Sequence, residues 1–286
     1  MQALLRGLVG AFLVLLFAAS GAAANDADLD VLLDGVARIG KPGVPGPLAV
    51  TGPEAFVVWT GRDGADLALP LVVAAHHEKG KLIAFGHPGY FGAAALAEHD
   101  TARLLANAAR WLGGRRGRVC CWRQPELAER LTAAGIDAQN VPQRDWMGAL
   151  DSYDAVFLKP SDLDVEEVER LREWIARGGS VGLADLGWGW QQLNPRRVLA
   201  EDHPGNLLCA PLGFVWSDGS FNSIDPVAQD RGALSAASAA NALKRLREGG
   251  RDPAPLDAQL GAVLASAVRA VPAHDARLLE PLEEWL

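Results

Sequence analysis

The sequence predicts an α/β protein built on a doubly wound sheet, with an α-helical extension at its C-terminal end. Three observations carry this. From Arg118 to Ala184 short apolar runs alternate with amphipathic segments, the pattern of parallel strands joined by crossover helices. Asp164 to Ala176 places glutamates early and arginines late, which suits the helix dipole, and Gly178-Gly179 ends it. The apolar run Val181 to Ala184 then delivers a turn bearing Trp188 and Trp190 to the carboxyl edge of the sheet, where open α/β folds place their ligands.

Taken in order, residues 1 to 24 are almost wholly apolar with Arg6 as the single charge, and Ala22-Ala23-Ala24 precede Asn25. This is the pattern of a secretory signal peptide cleaved near Ala24, and it implies a secreted or periplasmic protein. A retained anchor is the weaker reading, because Gly7 and Gly10 interrupt the run and it is short for a span of about 20 residues. No later stretch is long and apolar enough to span a membrane. The net charge of −8 makes the chain a poor nucleic-acid binder. Abundant alanine and the excess of arginine over lysine fit a GC-rich bacterial source.

Asn25 to Ile39 carries Leu29, Leu32, Leu33 and Val36 at helical spacing. The glycines and prolines of Gly40 to Pro47 forbid regular structure and lead into strands at Leu48 to Val50 and Ala55 to Trp59. Leu69 to His76 and Leu82 to Gly86 form a hairpin about the turn Glu78 to Lys81, and the second strand runs out into His87-Pro88-Gly89-Tyr90. Asp100 to Leu112 is a helix whose apolar face is Leu104, Leu105, Ala108, Trp111 and Leu112, with Asp100 or Thr101 as its cap. Strands at Arg118 to Trp122, Ala138 to Val141 and Ala155 to Lys159, with a helix from Pro125 to Ala134, complete a flavodoxin-like order of units. After the tryptophan turn, His203 to Asn206 reads as a turn and Leu207 to Trp216 holds a strand or two. The domain therefore spans 25 to 230, and the alanine-rich segment 231 to 286 reads as a helical extension or linker.

Cys120, Cys121 and Cys209 leave two readings: one bridge from Cys209 to whichever neighbour faces it, or three buried thiols. No C-x-x-C or H-x-x-x-H spacing indicates zinc, and no Gly-rich phosphate loop indicates a nucleotide, so no cofactor or metal is expected.

Three blocks together resemble one family. They are Gly43 to Val50 before Glu54-Ala55-Phe56, Gly80 to Tyr90 with Asn107 to Leu112, and Gly187-Trp188-Gly189-Trp190-Gln191 with Gly205-Asn206. They are similar to the N-terminal region of the TRP-channel-associated factor family and its bacterial relatives. The resemblance implies a class I glutamine-amidotransferase-like domain, which in that family precedes an enhancin-like zinc peptidase domain. Two departures follow. His77-Glu78 continues as Lys79-Gly80-Lys81, so the second histidine of H-E-x-x-H is absent. The turn where an amidotransferase carries its cysteine holds Ala184-Asp185-Leu186-Gly187, and His203 has no nucleophile to activate.

The residues expected at a ligand site are His87, Tyr90, Asp185, Trp188, Trp190 and Gln191. Aromatic faces beside amides suit a glycan or glycopeptide. The plainer readings are that both tryptophans cover the core, that His87 pins its turn, and that Asp185 accepts backbone N–H bonds. A non-catalytic, exported accessory module follows from the missing nucleophile and the missing zinc motif. A hydrolase using His87 and Asp185 is the alternative, as is the N-terminal part of a longer zinc peptidase.

Overall fold

The computed structural model describes residues 25–113, 117–142, 144–224, 231–249 and 258–285. The segment read as a signal peptide lies outside the described residues. A first helix, α1 (25–32), precedes β1 (Leu48–Val50), β2 (Ala55–Arg62), β3 (Ala68–His77) and β4 (Gly80–Phe85). Then come α2 (Ala93–Leu96), α3 (Thr101–Gly113), β5 (Arg118–Trp122), α4 (Pro125–Ala133), β6 (Asp137–Val141), β7 (Ala155–Leu158), α5 (Val165–Ala176) and β8 (Ser180–Ala184). The chain continues through α6 (Gly187–Leu193), α7 (Leu199–Asp202), α8 (Pro204–Cys209), β9 (Phe214–Trp216), β10 (Ser223–Ile224), α9 (Arg231–Ala236), α10 (Ala239–Gly249), α11 (Ala258–Ala270) and α12 (Leu279–Trp285).

Eight strands make one sheet in the order β10-β2-β3-β4-β8-β7-β5-β6. From β4 to β6 every neighbour is parallel, and β3, β2 and β10 extend the sheet antiparallel from β4. The doubly wound expectation is thus corrected to a mixed sheet. The hairpin β3–β4 feeds its second strand directly alongside β8, so a strand early in the chain occupies the place a fifth parallel strand would take. Its two-residue turn is Glu78-Lys79, with His77 paired to Gly80, and Glu78 adopts a left-handed φ of 50°. Gly80 is required because a Cβ there would stand 2.3 Å from the Gly179 carbonyl oxygen.

Strands β7 and β8 are buried along their whole length and β4 at every residue but Lys81, as expected of strands covered on both sides. Helix α5 starts as its sequence dictates: Asp164 accepts from the Glu167 N–H and the Glu167 carboxylate accepts from the Asp164 N–H, a reciprocal cap. Asp100 does different work from the cap expected of it. Its carboxylate accepts from the Ala37 and Arg38 N–H groups and so ties down the segment after α1.

Three more expectations change. Residues 187–193 are helical, not a loop, because the chain turns directly from β8 into α6. His203 to Asn206 begins α8, and only Phe214–Trp216 of the following stretch is strand, paired antiparallel with β1 outside the main sheet. The C-terminal helices pack onto the molecule instead of trailing from it. Leu260, Val263, Leu264 and Ala267 of α11 are buried, and the Gln259 amide bonds both the N–H and C=O of Ala68. All three cysteines are buried and free, so the bridge from Cys209 is absent.

Candidate functional site

Adjacent strands β4 and β8 end side by side near the middle of the sheet, where Phe85 registers with Ala184. The blocks that carry the resemblance converge there. Gly46 donates to the Gly86 carbonyl (2.9 Å), Asp185 N–H to that of Phe85 (3.2 Å), and Ser217 N–H to that of Pro47 (2.9 Å). The glycines permit this close approach. A Cβ at Gly86 would lie 2.0 Å from the Gly46 oxygen, and one at Gly187 would lie 2.2 Å from the Ser217 oxygen.

Asp185 occupies the turn after β8 and is almost wholly buried. Its Oδ2 accepts from the Ser161 N–H (2.8 Å) and from His203 Nε2 (3.3 Å), and its Oδ1 from the Leu186 N–H (2.9 Å). Burial alone would raise the carboxyl. The hydrogen bond from His203, the Leu186 N–H and the Lys159 charge outweigh it and hold Asp185 below the usual carboxylate value. Its backbone is not among the residues of positive φ, so the strain of a nucleophile-bearing turn is absent.

His203 is completely buried between Trp190 (ring centroids 5.1 Å apart) and Trp216 (5.7 Å). Its Nδ1 accepts from the Asn206 N–H at 3.2 Å, which requires that nitrogen to be unprotonated. The proton therefore sits on Nε2 and is donated to Asp185. With both ring nitrogens committed, His203 has no lone pair with which to activate a nucleophile. Asn206 completes the network: its amide donates to the Leu199 and Trp216 carbonyls and its oxygen accepts from the Trp216 N–H. Gly205 is small because a Cβ would stand 2.7 Å from the His203 ring. The Gly205-Asn206 pair quoted for the resemblance is thus a structural device. Sequence reading missed the partnership of His203 and Asp185, which lie 18 residues apart.

The other sequence candidates divide. His87 is half-buried and its Nδ1 accepts from the Gly89 N–H at 2.9 Å, pinning the turn. Burial lowers its pKa below the usual histidine value, against the opposing pull of the Asp185 charge. No hydrogen bond joins His87 to Asp185. Tyr90 is buried with its ring tilted against Phe85, and burial with the nearby Glu98 charge pushes its hydroxyl well up. Trp190 is buried against His203, and the Gln191 amide is consumed by Asn194, Arg197 and Leu199.

Trp188 is different. It is partly exposed, its Nε1 donates to the Val44 carbonyl (3.2 Å), and its ring lines an open groove of about 430 Å³ with Gln191, Gln192, Pro195 and Asp218. Among the described residues no three His, Cys, Asp or Glu side chains gather to hold a metal ion, and no helix is long and apolar enough to cross a membrane.

Comparison with known proteins agrees with this architecture. The family model described as "TRPM8, N-terminal domain" matches residues 15–223. TRPM8 channel-associated factor 2 of Bos taurus is 30% identical over 192 residues, covering 65% of this chain and 19% of that protein. Factor 1 of the same species is 30% identical over 200 residues, covering 68% and 20%. The chain thus spans about a fifth of the length of these relatives. Among solved structures, IMPa from Pseudomonas aeruginosa in complex with an O-glycopeptide superposes with a TM-score of 0.56 at 13% identity, over 76% of this chain and 25% of that one. IMPa metallopeptidase in complex with T-antigen gives 0.57 at 14%, over 81% and 27%. At that identity the likeness is one of fold. The match over residues 15–223, on the motifs that meet at the ends of β4 and β8, establishes that this chain belongs to the TRPM8-associated factor N-terminal domain family.

Proposed function

We propose that this protein is an exported, non-catalytic ligand-binding module with a degenerate amidotransferase-like site, working as an accessory to peptidase chemistry on glycoprotein or cell-surface substrates. The observation that carries the reading is the closed circuit at Asp185. Both ring nitrogens of His203 and both carboxylate oxygens of Asp185 already hold hydrogen bonds within the fold. The strand order β6-β5-β7-β8 is that of the first four strands of a flavodoxin-like sheet, which supports the amidotransferase-like ancestry. The alternative hydrolase loses its support, because His87 and Asp185 are engaged with different partners.

Binding falls to the Trp188 groove, where an aromatic face and an amide are open to solvent. The O-glycopeptide and T-antigen bound by IMPa make a glycan or glycopeptide the ligand class of choice. The matched region is a minor part of its longer relatives, consistent with a module that presents substrate to a peptidase domain. Export rests on the apolar segment 1–24, and amino-terminal sequencing of the expressed protein should find Asn25 first. The binding reading is tested by titrating the protein with a panel of glycans and mucin glycopeptides. Quenching of Trp fluorescence that disappears in Trp188→Ala supports it, and a panel that never binds removes it.

A further inference from the structure

We infer that the Trp188 groove selects uncharged sugars, and that Asp218 sets this preference; the inference rests on the glycan reading above. Of the side chains lining the groove, Asp218 alone ionises. The Gln191 amide is spent inside the fold, so the polar groups facing a ligand are the Gln192 amide and the Asp218 carboxylate.

Asp218 is half-exposed, yet it is held from behind. Its Oδ1 receives Arg269 Nε at 3.3 Å. The preceding Ser217 hydroxyl donates to the Ser266 carbonyl (3.2 Å) and accepts from the Ser266 hydroxyl (3.0 Å). Both Arg269 and Ser266 belong to α11, which lies beyond the matched residues 15–223. The C-terminal helices are therefore part of the site's construction. Oδ2 of Asp218 has no partner among the described residues and stands available to accept from a ligand.

A pyranose fits this set. Its C–H face lies on an indole, and a carboxylate accepts from its hydroxyls, as does the oxygen of an amide. A sugar bearing its own carboxylate would meet Asp218 as a like charge about 4 Å to 6 Å away, which disfavours it by about threefold to sixfold in water. Arg196 and Arg197, exposed just beyond Pro195, pull the other way, so the preference is a real contest between charges.

The test compares an O-glycopeptide carrying an uncharged hexose-hexosamine disaccharide with the same glycopeptide capped by sialic acid, titrated against the full chain. The uncharged form should bind at least about threefold tighter, and Asp218→Asn should bring the two within about twofold while melting at the wild-type temperature. Sialylated ligand that binds wild type as tightly or more tightly, and that weakens in Arg196→Gln or Arg197→Gln, overturns the inference and leaves the glycan reading in place. Failure of both ligands to bind removes the glycan reading, and this inference with it.

Discussion

His203 donates its Nε2 proton to a carboxylate oxygen of Asp185 at 3.3 Å while its Nδ1 accepts from the Asn206 N–H at 3.2 Å. Both ring nitrogens of His203 are thereby engaged, and the pair ties the start of α8 to the turn after β8.

Asp185→Ala should be strongly destabilising, by roughly 3 kcal/mol or more, because it leaves the His203, Ser161 and Leu186 donors buried without an acceptor. Because the Asp185 carboxyl titrates below its ordinary value of 3.8, its contribution is present above that value in full. It is lost as the pH falls through the lower, folded-state pKa. Urea midpoints measured from pH 5 downward should fall more steeply for wild type than for Asp185→Asn.

His87 gives the second pH effect. Burial holds its pKa below 6.5, so the folded state prefers the neutral ring and the unfolded chain takes up its proton first. Stability attributable to His87 is complete above pH 6.5 and declines as the pH drops below it. His87→Asn retains an acceptor for the Gly89 N–H, and its melting temperature should vary less between pH 7 and pH 5 than that of wild type.

Asn206→Ala deletes three buried hydrogen bonds to Leu199 and Trp216. Chemical denaturation should show a loss of roughly 3 kcal/mol to 5 kcal/mol. Gly187→Ala should also fail, since its methyl would meet the Ser217 oxygen at 2.2 Å, whereas Gly135→Ala, with nothing within 4 Å of the new carbon but a φ of +78°, should cost only about 1 kcal/mol.

The cysteines predict indifference to reductant. Burial raises the Cys120 thiol to about 12 and pushes Cys121 and Cys209 higher than usual as well. A thiol reagent should label none of them until the protein unfolds, and the melting temperature should be the same with and without dithiothreitol.

Much of this was legible in the sequence because it is local. The Asp164 and Glu167 cap, the Glu78-Lys79 hairpin and the β5-to-β8 alternation are each written in a few consecutive residues. The pairing of β4 with β8 joins residues about a hundred positions apart, and no local pattern announces it. The same holds for the site. Trp188 was visible as an aromatic between two glycines, and it lines the open groove. Trp190, Tyr90 and Gln191 have the same residue chemistry, but packing against His203, Phe85 and the α6 terminus decides their fate. The Asp28 carboxylate that binds His76 (2.5 Å) and Trp111 (2.7 Å) was invisible for the same reason, since it joins α1, β3 and α3.

The proposed function requires a site that binds its ligand and does not react with it. The most direct measurement is a calorimetric titration of the protein with an uncharged O-glycopeptide, followed by mass spectrometry of the ligand recovered from the cell. Such a site gives a saturable heat that Trp188→Ala abolishes, and a ligand recovered with its mass unchanged. Cleaved or deamidated ligand from the wild-type protein, lost in His203→Gln, would contradict it.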